Sequence, residues 1–242
     1  MSSGSPHYLP LSLPYFSVLG AVLLGVIIVV ELRALRLAYE RAGLSSRAAI
    51  LILIGSLVGS YFNIPIAQLP ARQTLAQEQV PFFGMSYVVP VNVEWPGTLI
   101  AINLGGAAIP ILVSLYLLVT RHLWIKGIIA VAAVAVTCHL LAYPVRGVGI
   151  AMPVFVPPIT TAIVALVLSR EYAAPLAYIG GSLGALIGAD LLNLGTVDGL
   201  GAPVASIGGA GTFDGVFLTG VLAVLLASIF AKPKPPRESR YI

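Results

Sequence analysis

The chain has 242 residues, of which 58% are hydrophobic and 9% are charged, and its mean hydropathy is +1.00. One soluble core of this size cannot bury so much apolar surface, so the composition predicts an integral membrane protein. A formal net charge of +4 would suit nucleic-acid binding in a soluble protein. Here the basic residues flank apolar runs, which argues against nucleic acid and leaves membrane lipids as the surroundings.

Seven apolar runs follow one another and predict an all-α, polytopic membrane helix bundle. Their centres lie near Leu23, Ile52, Leu112, Ala132, Val164, Leu186 and Val224. Eleven of the thirteen Lys and Arg residues occupy alternate gaps between the runs, and only Arg72 and Arg146 lie in the other gaps. Because basic residues near helix ends stay in the cytoplasm, we expect about seven transmembrane helices in the cytoplasmic (inner) membrane, with the N-terminus outside and the C-terminus inside.

The whole chain, 1–242, is predicted to be a single integral membrane domain. Its last residues, 232–242, are charged and rich in proline, which is typical of a disordered tail. The lone Cys138 excludes an intramolecular disulfide and a cysteine-only metal site. His7 and His122 lie far along the chain from His139, so no metal site and no cofactor are predicted.

Residues 68–96 form the only long loop between apolar runs and are predicted to build a small external cap. Apolar and polar residues alternate over 91–95, which is the pattern of a short, half-buried strand. Pro81 and Pro90 lie in the same loop and are expected to limit the length of its strands.

Local signals mark where several helices begin, end or bend. Gly43 is expected to end the first helix, and Ser45 can cap the second. The third span, about 97–119, contains Asn103 among glycines and Pro110, which predicts a kinked, closely packed outer half.

The fifth span is preceded by a segment, 144–158, that is dense in glycine and proline. This composition predicts irregular backbone, which a membrane tolerates only where protein covers it or where it lines a cavity. The sixth span, about 175–194, carries glycines at four-residue spacing, at Gly180, Gly184 and Gly188. Such a ridge permits close helix contact and offers a face to another membrane protein.

Two carboxylates lie near the predicted outer ends of adjacent spans. Asp190 is close to the end of the sixth span and Asp214 is at the start of the seventh, so the two can meet at similar depth. Two adjacent carboxylates cannot both stay charged, and such a pair can act as general acid and general base on one water. The alternative is that Asp190 pairs with Arg146 while Asp214 caps the last helix.

Further polar residues are predicted to converge on the same outer level and to support this site. Asn193 follows Asp190 by three residues, and Asn103 lies in the kinked part of the third span. His139, Tyr143 and Arg146 have the i, i+4, i+7 spacing of one helical stripe. Gly209 and Gly211 belong to a glycine-rich run that could present backbone N–H groups as an anion nest, or could simply be a turn.

These residues leave three functions open. The first is an intramembrane hydrolase in which Asp190 and Asp214 are catalytic. The second is a small-solute or ion transporter or channel with Asp190 in the pathway and broken helices near Pro153 and Gly208. The third is an accessory subunit that binds another membrane protein through its glycine ridge.

The segments Ile187–Leu194 and Ala205–Gly220, together with Gly147–Pro158, resemble the family called domain of unknown function 1614. This resemblance extends from about Asn103 to Ala231. It implies a polytopic membrane protein and no assigned reaction.

A weaker resemblance connects Asp190 and Asp214 to the presenilin-like intramembrane aspartyl proteases. That family has one catalytic Asp on each of two adjacent spans and a Gly-x-Gly-Asp motif at the second. In this chain Gly211 and Asp214 match that motif, and Phe213 stands where its second glycine would be. The resemblance implies a hydrolase that uses both carboxylates.

Overall fold

A computed structural model describes most of the chain, and the structural statements below concern that part. The described residues are 22, 29, 32–70, 72–82, 85–95, 97–145, 149–197, 200, 202–209 and 215–231. Its helices are α1 (32–42), α2 (Ser46–Gly59), α3 (Ile109–Arg121), α4 (Trp124–Leu141), α5 (Val156–Leu168), α6 (Ala173–Ala185), α7 (Leu194–Val197) and α8 (Gly215–Phe230). Its strands are β1 (Asn63–Gln68), β2 (Arg72–Phe82), β3 (Met85–Trp95), β4 (Leu99–Asn103), β5 (Tyr143–Val145), β6 (Gly149–Ala151) and β7 (Val204–Ile207).

The structure is mostly helical, and several of its helices are apolar enough for a membrane. Within the described residues, three helical segments are long and apolar enough to cross a bilayer, namely Leu104–Arg121, Trp124–Leu141 and Ala173–Val197. Three shorter apolar helical segments accompany them, at Ser46–Gly59, Val156–Leu168 and Leu218–Phe230. Large apolar side chains are exposed on these helices, as expected where lipid is the solvent.

The local signals between α1 and α2 are confirmed. Helix α1 ends before Gly43, whose φ of 105° is a conformation that side chains with a Cβ rarely adopt. Ser45 is the N-cap of α2, and its side-chain oxygen accepts a hydrogen bond from the Ala48 N–H at 3.3 Å.

The third apolar run differs from the helix expected over 97–119. Its first part is strand β4, and a π-helical turn, Leu104–Ala108, then leads into α3. Strand β4 lies at the centre of a three-stranded sheet, antiparallel to β1 and parallel to β7. A short apolar run is found in buried strands as well as in buried helices. The sequence pattern alone therefore could not show that this run begins with a strand.

The segment 68–96, predicted to be an external cap, contains a longer hairpin than the alternating pattern predicted. Strands β2 and β3 pair antiparallel along their whole length, from Arg72 opposite Trp95 to Phe82 opposite Met85. Pro81 and Pro90 lie inside these strands and do not end them. Each strand of a two-stranded ribbon has one unpaired edge, where a residue without an N–H group is tolerated.

The segment before α5 is irregular, as its glycines and prolines predicted. Helix α4 ends at Leu141, and the described residues that follow form the short antiparallel pair of β5 and β6. Tyr143 is therefore in a strand, so the expected helical stripe of His139, Tyr143 and Arg146 is wrong beyond the end of α4. Arg146 itself lies outside the described residues.

Helix α6 is the centre of the bundle and packs against α3, α4, α5 and α8. A Cβ atom placed on Gly184 would lie 2.6 Å from the Val134 Cβ, and one on Gly188 would meet the backbone of Ala135. These glycines therefore let α6 touch α4 closely. The ridge that the sequence offers to another membrane protein packs here against α4 of the same chain.

Replacement of one ridge glycine is expected to separate these helices. In Gly184→Leu the new side chain meets Val134, so the free energy of unfolding should fall by at least about 2 kcal/mol through overpacking. Thermal unfolding in detergent measures this change. Gly195→Leu is the matched control, because nothing lies within 4 Å of a Cβ at Gly195. Equal midpoints for the two variants would contradict the contact.

Candidate functional site

One end of the bundle, called here the strand end, carries the strands β1, β4, β5, β6 and β7 and the interruption of α6. Helix α6 continues as a π-helical turn, Leu186–Asp190, and then as a 3₁₀ turn, Leu191–Asn193. The Asn193 side-chain amide donates hydrogen bonds to the carbonyl oxygens of Gly188 at 2.8 Å and Ala189 at 3.0 Å. Both hydrogens of this amide are therefore donated to carbonyl groups of the interrupted helix, and its nitrogen is not free to bind a substrate.

Asp190 ends the π-helical turn and reaches across to the loop after β7. Its Oδ2 atom accepts a hydrogen bond of 2.7 Å from the Gly208 N–H. Gly208 has a φ of 84°, and backbone atoms of Gly106 and Ala107 leave no room for a Cβ there. The glycine-rich run predicted as an anion nest thus donates an N–H to an anion, and this anion is a carboxylate of the chain itself.

Two cavities meet at Asp190, and each has a volume of about 190 Å³. The first cavity is lined by residues that include Asp190, Leu194, Ser206 and Gly209. The second cavity is lined by Asp190 together with residues that include Met152, Gly215 and Thr219. Asp190 is only partly buried because it contributes to the walls of both.

Asn103 is fully buried and holds four segments of the strand end together. Its amide nitrogen donates to the Ser60 carbonyl oxygen at 2.8 Å and to Asn63 Oδ1 at 3.1 Å, and its Oδ1 accepts from the Gly106 N–H at 2.8 Å. Asn103 is thus the cap of the π-helical turn. It was predicted as a site residue, and its hydrogen bonds support the backbone around the site.

Ser206 and Asn63 extend this network to the first cavity and were not singled out in the sequence. The Ser206 Oγ lies 2.6 Å from Asn63 Oδ1 and 2.7 Å from the Gly209 carbonyl oxygen. Because a hydroxyl has one proton, it can donate to only one of these acceptors at a time. The two residues lie in strands β1 and β7, which are far apart in the sequence, so only the fold brings them together.

The other predicted site residues are not brought together in the described structure. His139 is exposed on α4, whereas Asp190 and Gly209 line the first cavity. Arg146, Gly211 and Asp214 lie outside the described residues, so the Asp190–Asp214 pair and the Asp190–Arg146 pair both remain predictions. Gly215, the residue after Asp214, does line the second cavity with Asp190.

In the described residues no group of three or more His, Cys, Asp or Glu side chains could hold a metal ion. Cys138 is a free, buried thiol in α4. The chemistry at the strand end therefore depends on one described carboxylate, the hydroxyl of Ser206 and the amide groups around them.

The opposite end of the bundle, called here the basic end, contains the ends of α1, α3, α5 and α8. A third cavity of about 320 Å³ lies there, lined by Glu40, Arg41, Ala42, Gly43, Arg121, Glu171, Tyr172, Ala174, Pro175, Ser228 and Ala231. Arg121 Nη2 donates to the Gly43 carbonyl oxygen at 3.0 Å, which joins the two neighbouring loops. Hydrogen bonds from the Ser46 hydroxyl and the Arg36 guanidinium lower the pKa of the Glu40 carboxyl group.

Between the two ends, a few polar side chains are buried among apolar ones. Tyr39 and Tyr178 pack with their ring centroids 5.6 Å apart at a tilted angle. The hydroxyl oxygens of Tyr39, Ser56 and Ser114 are buried and have no hydrogen-bond partner within the described part of the chain. A buried hydroxyl without a partner costs about 1 to 3 kcal/mol, so a polar guest such as water is favoured beside it.

A substitution at Asn103 tests the network at the strand end. In Asn103→Asp, a carboxylate oxygen replaces the amide nitrogen and faces the Ser60 and Asn63 oxygens. We expect a loss of about 2 to 3 kcal/mol in the free energy of unfolding, because two acceptors lose their donor. Thermal unfolding in detergent is the measurement. Gln79→Glu makes the same chemical change at an exposed position and should leave the midpoint unchanged; an equal loss in both variants would contradict the role of Asn103.

A family model described as "Protein of unknown function (DUF1614)" matches residues 57–226. The match begins near the end of α2 and reaches into α8, so it includes Asn103, both cavities at Asp190 and the central helix α6. Comparison with curated proteins and with solved structures finds no match. Because the family model covers more than half of the chain, this protein belongs to the DUF1614 family.

Proposed function

We propose that this chain is a multi-pass protein of the cytoplasmic membrane with seven spans, an external N-terminus and a cytoplasmic C-terminus. The support is the way in which the helix ends are grouped. The connections α1–α2, α3–α4 and α5–α6 and the end of α8 all carry basic residues in the sequence. Residues from each of these four regions line the third cavity. Basic residues concentrated at one end of a helix bundle mark its cytoplasmic side.

We also propose that the protein conducts a proton or a small cation and that Asp190 is the group that binds it. The observation that carries this proposal is that Asp190 lines both the first and the second cavity. A carboxylate shared by two cavities can receive an ion from one side and release it to the other. This arrangement fits a carrier group in a pathway.

The free-energy cost of placing a carboxylate inside a membrane span indicates that Asp190 has a partner or a function. An ionisable residue inside a span costs at least about 2.5 kcal/mol on insertion scales, so it is retained where it has a partner or a function. The Gly208 N–H is one such partner, because it donates a hydrogen bond of 2.7 Å to Asp190 Oδ2.

The interrupted backbone around Asp190 also fits a pathway. Asp190 follows the break in α6, and the loop that binds it follows β7. Broken helices at membrane depth are tolerated where they line a cavity, and in transporters such breaks form the ion site. Ser206 adds a hydroxyl to the wall of the first cavity, which Asp190 also lines.

Reconstituted protein provides the direct test. In liposomes with an internal pH-sensitive dye and an imposed pH gradient, we expect the wild-type chain to accelerate proton flux. Asp190→Asn should reduce this flux by at least about tenfold, because Asn keeps the acceptor for the Gly208 N–H but cannot carry a proton.

Glu78→Gln is the matched control for this measurement. It removes a carboxylate from strand β2 of the hairpin and should leave the flux near that of the wild type. Repetition with Na⁺ and K⁺ gradients separates a proton from a small cation. Flux that is unchanged in Asp190→Asn, for every ion tried, would exclude the carrier role.

A second candidate function is the intramembrane hydrolase, and one observation favours it. Gly215 lines the second cavity with Asp190, so the chain next to Asp214 borders the same space. In this mechanism the two carboxylates share a proton and activate a water. Cleavage of transmembrane peptides should then be abolished by both Asp190→Asn and Asp214→Asn. Cleavage that survives Asp214→Asn would exclude the pair.

The proposed topology makes a separate prediction. A reporter that is active only in the cytoplasm should be active when fused after Ile242 and inactive when fused before Met1. The reason is the concentration of basic residues at the end of the bundle that contains the end of α8. A reporter that requires export serves as the complementary control. Activity of that second reporter at the C-terminus would reverse the orientation.

A further inference from the structure

A series of hydroxyl groups lies inside the bundle between the third cavity and the second. Tyr39 is on α1, Ser56 is on α2, and Tyr178 and Ser182 are on α6; all four are buried. The Tyr39 and Tyr178 rings pack together, and the Tyr39 hydroxyl lies near those of Tyr178 and Ser56 without a direct hydrogen bond to any described group. Ser182 lies near the Tyr178 hydroxyl. These polar groups from three helices therefore meet in one place.

The series begins one helical turn from the third cavity. Ala42 and Ala174 line that cavity. Tyr39 precedes Ala42 by three residues on α1, and Tyr178 follows Ala174 by four residues on α6. Residues three or four apart are neighbours along one helix face, so both tyrosines lie directly inside the cavity wall.

The series ends next to the second cavity. Ser182 is one turn beyond Tyr178 on α6, and its Oγ lies against Gly220 of α8 so closely that a Cβ on Gly220 would meet it. The residue before Gly220 is Thr219, which is buried and lines the second cavity with Asp190. Buried hydroxyls thus follow one another from Tyr39 and Tyr178 to Ser182, and Thr219 borders the cavity that Asp190 also lines.

The hydrogen bonding of Ser56 indicates that a small polar molecule binds next to its hydroxyl group. Thr137, Thr161 and Ser228 satisfy their hydroxyls with the carbonyl oxygen four residues earlier in their own helices. Ser56 is also within a helix but makes no such bond, and no described group is a hydrogen-bond partner for its Oγ or for the Tyr39 hydroxyl. A small molecule that can both donate and accept hydrogen bonds would satisfy both groups, and water has this property.

We propose that water bound among Tyr39, Ser56 and Tyr178 completes a proton path from the third cavity through Ser182 and Thr219 to Asp190. This inference rests on the proposed conduction function. It adds the part of the proton path that runs from the basic end to Asp190. Each hydroxyl or water accepts a proton from one neighbour and passes its own proton to the next. After one transfer every group has the charge it had before, and Asp190 is the group that holds the proton between the two ends.

Proton flux in liposomes tests the path with conservative variants. Tyr39→Phe and Tyr178→Phe retain the rings and remove the hydroxyls. We expect each to reduce proton flux by at least about tenfold, which corresponds to about 1.4 kcal/mol in the barrier. Tyr116→Phe is the matched control, because Tyr116 is exposed on α3 and should be neutral. Thermal unfolding of each variant confirms that it is folded.

The outcomes separate this inference from the function on which it rests. Loss of flux in Asp190→Asn and in both tyrosine variants supports the path. Loss in Asp190→Asn alone, with wild-type flux in both tyrosine variants, overturns the path and retains the proposed function. Absence of proton flux in the wild type overturns proton conduction and the path with it.

The bound water has its own measurement, which does not depend on transport. Radiolytic labelling modifies side chains that contact bound water, even where bulk solvent has no access. Tyr39 is 0% and Tyr178 is 2% exposed, so we expect their labelling, after correction for the intrinsic reactivity of each side-chain type, to exceed that of Leu176, which is also 0% exposed. Labelling of both tyrosines supports the hydrated site, and labelling no greater than that of Leu176 overturns it.

Discussion

Asn103, Asn193 and Asp190 each hydrogen-bond backbone groups at a place where a helix is interrupted or a loop turns sharply. The other features of the strand end depend on these bonds, because a lipid environment offers no water to satisfy freed N–H and C=O groups. Asn103 secures the start of α3, Asn193 secures the broken end of α6, and Asp190 secures the loop after β7. The cavities can therefore exist beside interrupted backbone without leaving its polar groups unpaired.

Close packing of glycines determines how near these interrupted segments come to one another. The backbone of Gly105 lies against Ser56 and Gly59 of α2, and Gly106 lies against the Gly208 carbonyl group. A Cβ at either position would overlap backbone atoms, which cannot move aside as the end of a side chain can. The Asp190–Gly208 hydrogen bond needs this same approach, because it joins α6 to a loop that α3 holds in place. The same few residues thus allow the backbone segments to pack closely and their polar groups to form hydrogen bonds.

The features that were predictable from the sequence are those with a local cause. Gly43 and Ser45 act on their own helix ends, and the four-residue spacing of Gly184 and Gly188 describes one helix face, so these three expectations are confirmed. Strand β4 was missed because its four apolar residues, 99–102, fit a strand as well as a helix. Ser206 was missed as a member of the site because its side-chain partner, Asn63, is distant in sequence, and no local pattern predicts that contact.

The choice between the two candidate functions also depends on which features can be read from the sequence and which appear only in the fold. The sequence contains two carboxylates at similar predicted depth, which by itself favours a hydrolase, because that chemistry needs only the two groups and one water. A conduction path makes a further demand, since the ion must enter and leave the carboxylate on different sides. Asp190 lines two cavities, and the second is also lined by Thr219, one residue from the contact with Ser182. A hydrolase has no use for hydroxyls that continue toward the basic end, whereas a proton path requires them, and this difference is the reason to place conduction first.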